Sequence, residues 1–145
     1  MVPFTANVPY GDARALETVA HALCKRLRND HLILFLGPMG AGKTTLIAQL
    51  CRAWGVTEQV TSPTFALMNE YRNADQQPIY HFDFYRVEKV EELESLGLPD
   101  IFYQDSGRCL VEWPEVALPI LPPALVAVQI EVQADRSRTI TLLEE

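Results

Sequence analysis

Eight consecutive residues, Gly37-Pro38-Met39-Gly40-Ala41-Gly42-Lys43-Thr44, constrain this chain more than any other stretch. They follow the apolar run Leu32-Ile33-Leu34-Phe35-Leu36 and open a helix-like segment over residues 42–54, with Gly55 placed to terminate it. The form G-x-x-x-x-G-K-[ST] between a strand and a helix is a phosphate-binding loop. The strand delivers the chain to the rim of a sheet, and small residues let successive N–H groups turn inward. The helix N-terminus then points its partial positive charge at the same spot. A ligand cradle over residues 37–45 is expected, with Gly37, Met39, Gly40, Ala41, Gly42 and Thr45 around the phosphates. Lys43 reaches the β- and γ-phosphates as a point charge, and the Thr44 hydroxyl ligates Mg²⁺. The plain alternative is a glycine-rich turn that happens to carry a lysine, but the octet arises by accident in only roughly one chain of this length per few hundred.

Hydrolysis of a triphosphate needs an acid near the metal and a group that orders the attacking water. Cys109-Leu110-Val111-Glu112 is an apolar run ending in an acid, and Pro114 stops the strand there. Glu112 is thus at a strand end, where open α/β sheets place their ligand sites, and is the first candidate for the metal acid. An exposed strand-end acid is the competing reading. Asp83 is the second candidate, in Ile79-Tyr80-His81-Phe82-Asp83-Phe84-Tyr85, where Ile79, His81, Asp83 and Tyr85 share one face and Tyr80, Phe82 and Phe84 the other. Its alternative is a surface ion pair with Arg86 or Arg72. Thr64, after Ser62-Pro63, is a candidate switch residue answering to the γ-phosphate, or else a plain turn.

Around these motifs the pattern is of one α/β domain spanning residues 1–145, an ordinary domain size. A short edge strand is expected over residues 2–6. An amphipathic helix is expected over residues 12–28, with a stripe of Ala13, Leu16, Ala20, Leu23 and Leu27 and Asp12 at its cap. A hairpin over residues 65–72 and 79–85 follows, then a charge-rich helix over residues 87–96, another helical turn over residues 99–104, a loop over residues 119–123, and a terminal hairpin of residues 125–133 and 138–143. The acids of residues 88–94 read as a solvated helix face. His21 reads as a surface residue, and His31 merely precedes a strand. The expected fold is a P-loop three-layer sandwich with a mostly parallel central sheet and antiparallel edge strands.

Net charge is −7, and no basic stripe is present, so the chain is not expected to grip nucleic acid by itself. Three cysteines, Cys24, Cys51 and Cys109, lie far apart with no C-x-x-C pair, and are expected to be buried reduced thiols of a cytoplasmic protein. No signal peptide or membrane span is expected.

The ordered set G-x-x-G-A-G-K-T-T, Ser62-Pro63-Thr64-Phe65, His81-Phe82-Asp83-Phe84-Tyr85-Arg86, Glu91-Glu92-Leu93-Glu94-Ser95-Leu96-Gly97 and Val111-Glu112-Trp113-Pro114-Glu115 resembles the TsaE (YjeE) family. These are small bacterial ATPases of tRNA threonylcarbamoyladenosine biosynthesis. The resemblance runs from about residue 12 to residue 116 and leaves only the terminal hairpin outside. It implies a Mg²⁺-dependent ATPase of low intrinsic turnover. Such an ATPase would act with the TsaB–TsaD pair and reset that complex between cycles. Given the acidic charge, tRNA is expected to be held only by those partners, and the chain alone is expected to be a monomer or weak oligomer. Residue by residue it implies Lys43 on phosphate, Thr44 and Glu112 on Mg²⁺, Asp83 as an acid needed for hydrolysis, Thr64 in a switch-like loop and Trp113 near the nucleotide or partner face. One departure is Pro38-Met39, where the family often carries an acid, and it falls at the loop's outer rim. A small metabolite or nucleoside kinase and a nucleotide-gated binding module are the rival readings. A GTPase is weaker, since no [NT]-K-x-D signature is present.

Overall fold

The computed structural model describes residues 3–63, 67–104 and 106–144. In chain order its elements are β1 (Phe4–Val8), α1 (Ala13–Arg26), β2 (Leu32–Leu36), α2 (Lys43–Ala53), β3 (Met68–Arg72), β4 (Pro78–Asp83), α3 (Val90–Ser95), α4 (Leu98–Phe102), β5 (Arg108–Glu112), a 3-10 helix (Pro114–Ile120), β6 (Val126–Val132) and β7 (Arg138–Leu143). The strands form one sheet in the order β1-β7-β6-β2-β5-β4-β3. The inner run β6, β2, β5 and β4 is parallel, while β7, β1 and β3 join antiparallel. That is the expected mixed sheet, and its parallel part must be covered on both faces.

The cover is visible in the alternation of β2. Ile33 and Phe35 pack with Leu23 and Leu27 of the first helical layer and with Leu46 and Leu50 of α2. Leu32 and Leu34 pack on the other side with Phe82, Phe84, Leu93 and Phe102. Three layers result, with β2 at the centre and its C-terminal end feeding the glycine loop. The loop's tip is a turn in which Ala41 N–H donates to the carbonyl of Pro38 at 3.1 Å.

Several expected elements are placed as read and a few differ. Asp12 caps α1 by accepting from the Ala15 N–H, although Ala13, at the start of the expected stripe, is exposed. The first strand is shifted to Phe4–Val8. The first strand of the expected 65–72 hairpin begins at Met68 within the described residues, and positions 65 and 66 lie outside them. The charge-rich helix begins at Val90 rather than at 87, because the Glu92 carboxylate accepts from the N–H groups of Glu88 and Lys89 and sets the start there. Residues 114–120, part of which was expected as loop, form the 3-10 helix. Pro114 and Pro119 suit its fixed φ, and its few i→i+3 bonds need few donors. Cys51 and Cys109 are buried and Cys24 is only partly so; all three are free thiols. His31 does more than precede a strand, since its ring nitrogens stand 2.8 Å and 3.2 Å from the carbonyls of Gly107 and Phe102.

Candidate functional site

Three strand ends of the parallel sheet converge at one edge. β2 leads into the glycine loop, and β5 ends at Glu112. β4 ends at Asp83, whose side chain accepts from the Tyr85 N–H at 3.0 Å and so turns the chain out of the sheet. The parallel register places Asp83 beside Glu112, and Glu112 beside Phe35. A cleft of about 580 Å³ opens there, lined by the loop from Met39 to Thr45 and by Ser62, Asp83, Arg86, Glu112 and Trp113 among others. Gly37 stands behind that lining. A Cβ on it would come 2.8 Å from the Ile130 carbonyl of β6, so only glycine lets the loop lie this close to the sheet.

Gly40 and Gly42 hold φ of +77° and +100°, the left-handed conformation that a loop wrapping its N–H groups inward requires. Gly42 caps α2 without a side chain, and the first N–H groups of a helix have no intrahelical partner. The loop thus offers donors and a positive helix end to an anion. Met39, at the outer rim, is 64% exposed.

Lys43 is buried at the foot of this loop, with Nζ donating to the Gly37 carbonyl at 2.6 Å and lying 3.5 Å from the centroid of the Trp113 ring. Burial lowers its pKa, and the nearby carboxylates of Glu112, Asp83 and Glu115 pull the other way. Trp113 holds a φ of +54°, a left-handed residue directly before a proline, and its ring also packs 4.9 Å from Tyr85. The indole thus contacts both an ammonium and a phenol ring at the cleft wall.

Thr44 and Glu112, the two residues expected at a metal, lie side by side. Thr44 Oγ1 donates to Glu112 at 2.9 Å and 3.1 Å from its two oxygens. Ser62 Oγ lies 3.5 Å from the same hydroxyl and donates to Asp83 at 3.3 Å, so a chain of polar groups joins the two acids. Asp83 is not the partner of Arg72, which bonds Glu70 at 2.8 Å instead. Thr64 lies outside the described residues. Sequence reasoning missed Ser62 and His81, whose Nε2 stands 2.7 Å from Glu112 Oε2. Both carried a usable signal: each belongs to a motif that carries the resemblance, and His81 also shares a strand face with Asp83.

The hydroxyl and carboxylate oxygens of Thr44 and Glu112 are hard donors. Mg²⁺ commonly takes one or two such protein ligands and completes its shell with water and phosphate oxygens. Among the described residues no group of three or more His, Cys, Asp or Glu is arranged around a metal position, so the donor set fits Mg²⁺ with phosphates better than a metal in an all-protein cage.

On the far side of the loop a second cleft, about 310 Å³, shares Ala41, Gly42 and Thr45 with the first and is lined further by Tyr10, Leu16, Ile130 and Arg136. Tyr10 is 60% exposed, with the Arg136 guanidinium 4.4 Å from its ring. Arg138 of β7 donates to the Ala41 carbonyl at 3.0 Å and ties the loop to the terminal hairpin.

The family model for threonylcarbamoyl adenosine biosynthesis protein TsaE matches residues 10–140. It reaches past the residues that carry the resemblance read from the motifs and takes in β6 and the start of β7, as expected of strands built into the sheet. The chain is 41% identical over 127 residues to the Haemophilus influenzae tRNA threonylcarbamoyladenosine biosynthesis protein TsaE, covering 87% of this chain and 78% of that one. The Synechocystis protein of the same name is 40% identical over 115 residues, with 77% of this chain and 71% of that one covered. The crystal structure of Bacillus subtilis YdiB superposes with a TM-score of 0.70 over 98% of this chain and 86% of that one, at 24% identity, which shows a shared fold.

Proposed function

The chain belongs to the TsaE family, and from that premise we propose that it is a Mg²⁺-dependent ATPase of tRNA threonylcarbamoyladenosine biosynthesis. On this reading all 145 residues work as one domain in the cytoplasm, as a monomer or weak oligomer. It acts with the TsaB–TsaD pair and resets that complex between cycles, and the pair holds the tRNA. A net charge of −7 supports that division, since phosphate backbones are gripped by positive surfaces. The names of its relatives support the process, and the geometry of the loop supports the chemistry.

The observation that carries the proposal is the Thr44 hydroxyl bonded to the Glu112 carboxylate at the foot of a glycine loop that also presents Lys43. The loop's N–H groups and the Lys43 ammonium receive the phosphates, and Thr44 with Glu112 would hold the metal. Mg²⁺, when bound, neutralises charge on the phosphate oxygens. Asp83, held by Ser62 and by the Tyr85 N–H, orients the attacking water or accepts its proton at a carboxylate oxygen. Trp113 walls the cleft beside Lys43 and excludes water from that side. The adenine ring belongs in the second cleft, stacked on Tyr10, because that cleft shares one wall of the phosphate loop. Catalysis is positioning and charge neutralisation, and turnover of the chain alone is slow because the partner completes the site.

The test is phosphate release from Mg²⁺·ATP by the chain alone and with TsaB–TsaD, with ATP–GTP competition and product analysis alongside. Free phosphate, faster with the partners and lost in Lys43→Ala and Thr44→Ala, is the expected result. Unaltered turnover in both variants removes the assignment, and a phosphorylated acceptor in place of free phosphate favours a kinase. Partner multi-turnover function that survives a hydrolysis-dead Glu112 variant favours a nucleotide-gated binding module.

A further inference from the structure

His81 is 0% exposed and lies on β4 two residues before Asp83. The parallel register sets His81 beside Leu110 and Asp83 beside Glu112, so all four side chains are on the α1–α2 face of the sheet. There His81 Nε2 meets Glu112 Oε2 at 2.7 Å, while Nδ1 is buried with no partner among the described residues. A buried N–H without an acceptor is costlier than a bare ring nitrogen, which puts the proton on Nε2, donated to Glu112. A histidine serving only the core would be expected to use both nitrogens, and an apolar residue of its size would fill the space without leaving one orphaned.

Glu112 is 3% exposed, so its orientation is set by these donors and not by water. Oε2 takes both His81 and the shorter Thr44 contact, whereas Oε1 has only the longer one, at 3.1 Å. We propose that His81 is a positioning residue for Glu112. It locks one carboxylate oxygen from behind and leaves the other lone pairs turned to a divalent cation, as outer-shell partners do for metal-ligating side chains. The proposal rests on the reading that Thr44 and Glu112 hold Mg²⁺, and adds a residue which that reading does not need.

The experiment titrates Mg²⁺ against binding of a non-hydrolysable ATP analogue by calorimetry, with thermal unfolding measured on the same samples. His81→Phe keeps a ring of similar volume without the donor. It should raise the Mg²⁺ concentration for half-maximal binding by about 10–100-fold, while analogue binding in excess chelator is unchanged. His81→Gln, whose amide nitrogen reaches about as far as Nε2, should recover most of the loss; His81→Asn, whose amide ends near Nδ1, should not. Should His81→Phe fail to fold, the contrast between Gln and Asn decides alone. A Mg²⁺ requirement equal to wild type in every folded variant, or a Gln variant as impaired as the Asn one, overturns the role of His81. A wild-type chain that binds the analogue equally tightly with Mg²⁺ and in excess chelator overturns the metal reading as well.

Discussion

At Glu112 a nearly buried carboxylate is compensated by His81 at 2.7 Å and Thr44 at 2.9 Å, whereas Asp83, beside it in register, is partly exposed and held by Ser62 and its own turn. The two acids should therefore fail differently. Glu112→Gln is expected to weaken Mg²⁺-dependent analogue binding at least about tenfold, about 1.4 kcal/mol. Asp83→Asn should leave binding largely intact and slow phosphate release by about 10²–10⁴-fold, the range for a general base. Calorimetry and a phosphate-release assay on the same preparations separate the two, and equal losses in both readouts would contradict the division of roles. The buried thiols make a second residue-scale prediction. Burial pushes Cys51 and Cys109 from about 9 up to about 12, so between those values the folded chain keeps protons that the unfolded chain releases. Their contribution to stability is whole below pH 9 and is lost as pH rises from 9 toward 12, by about 1.4 kcal/mol per pH unit for each thiol. Denaturant midpoints at pH 8 and pH 10 should show the drop, and Cys51→Ala should make it shallower. Lys43, Thr44 and Glu112 were legible because a local motif or a strand end carries each of them. The motifs name His81 and Ser62 without saying what they touch, because His81 meets Glu112, and Ser62 meets Thr44 and Asp83, only once separate segments are packed together.

The helix after the loop shows how a single residue sets an element's boundary. Gly55 has φ +94°, and a Cβ there would lie 2.6 Å from the Cβ and 2.9 Å from the N of Ala74. Gly55→Ala therefore combines left-handed strain with a clash against the β3–β4 turn, and is expected to cost at least about 2 kcal/mol in equilibrium unfolding. A midpoint equal to wild type would show that the turn can move aside. Gly37→Ala acts at the other end of the same unit. Its clash with the Ile130 carbonyl would push the loop off β6, so nucleotide binding should weaken at least about tenfold while the far-ultraviolet spectrum stays native. Element identity was legible wherever periodicity or a breaker was strong, as in α1, β2, α2 and the closing hairpin. Ends were less so. The start of α3 depends on a side-chain cap, and the 3-10 helix of Pro114–Ile120 depends on prolines that fit a tight turn as readily as a loop.

Across the whole molecule the terminal hairpin is the instructive case. Its two strands read correctly as a pair, yet β6 also lies parallel against β2 from Ile33 to Leu36, so the last segment of the chain is a central part of the sheet. Cutting the chain after residue 124 should therefore abolish cooperative unfolding, because β2 loses a neighbour and Val128, Ile130, Ile140 and Leu142 leave the core. Circular dichroism through a denaturant titration checks this, and a truncated chain that unfolds at the wild-type midpoint would make the hairpin an appendage.

What is local can be read along the chain alone: a strand, a glycine loop and a helix in fixed order, the two faces of β4, and the proline that halts β5 at an acid. Which strands lie side by side emerges only when the sheet is assembled, and with it the meeting of Asp83 and Glu112, the place of His81 behind that pair, and the insertion of β6 beside β2. A strand's alternation specifies its two faces but not its neighbours. Neighbours are chosen by how the whole sheet closes its backbone hydrogen bonds while burying both layers at once.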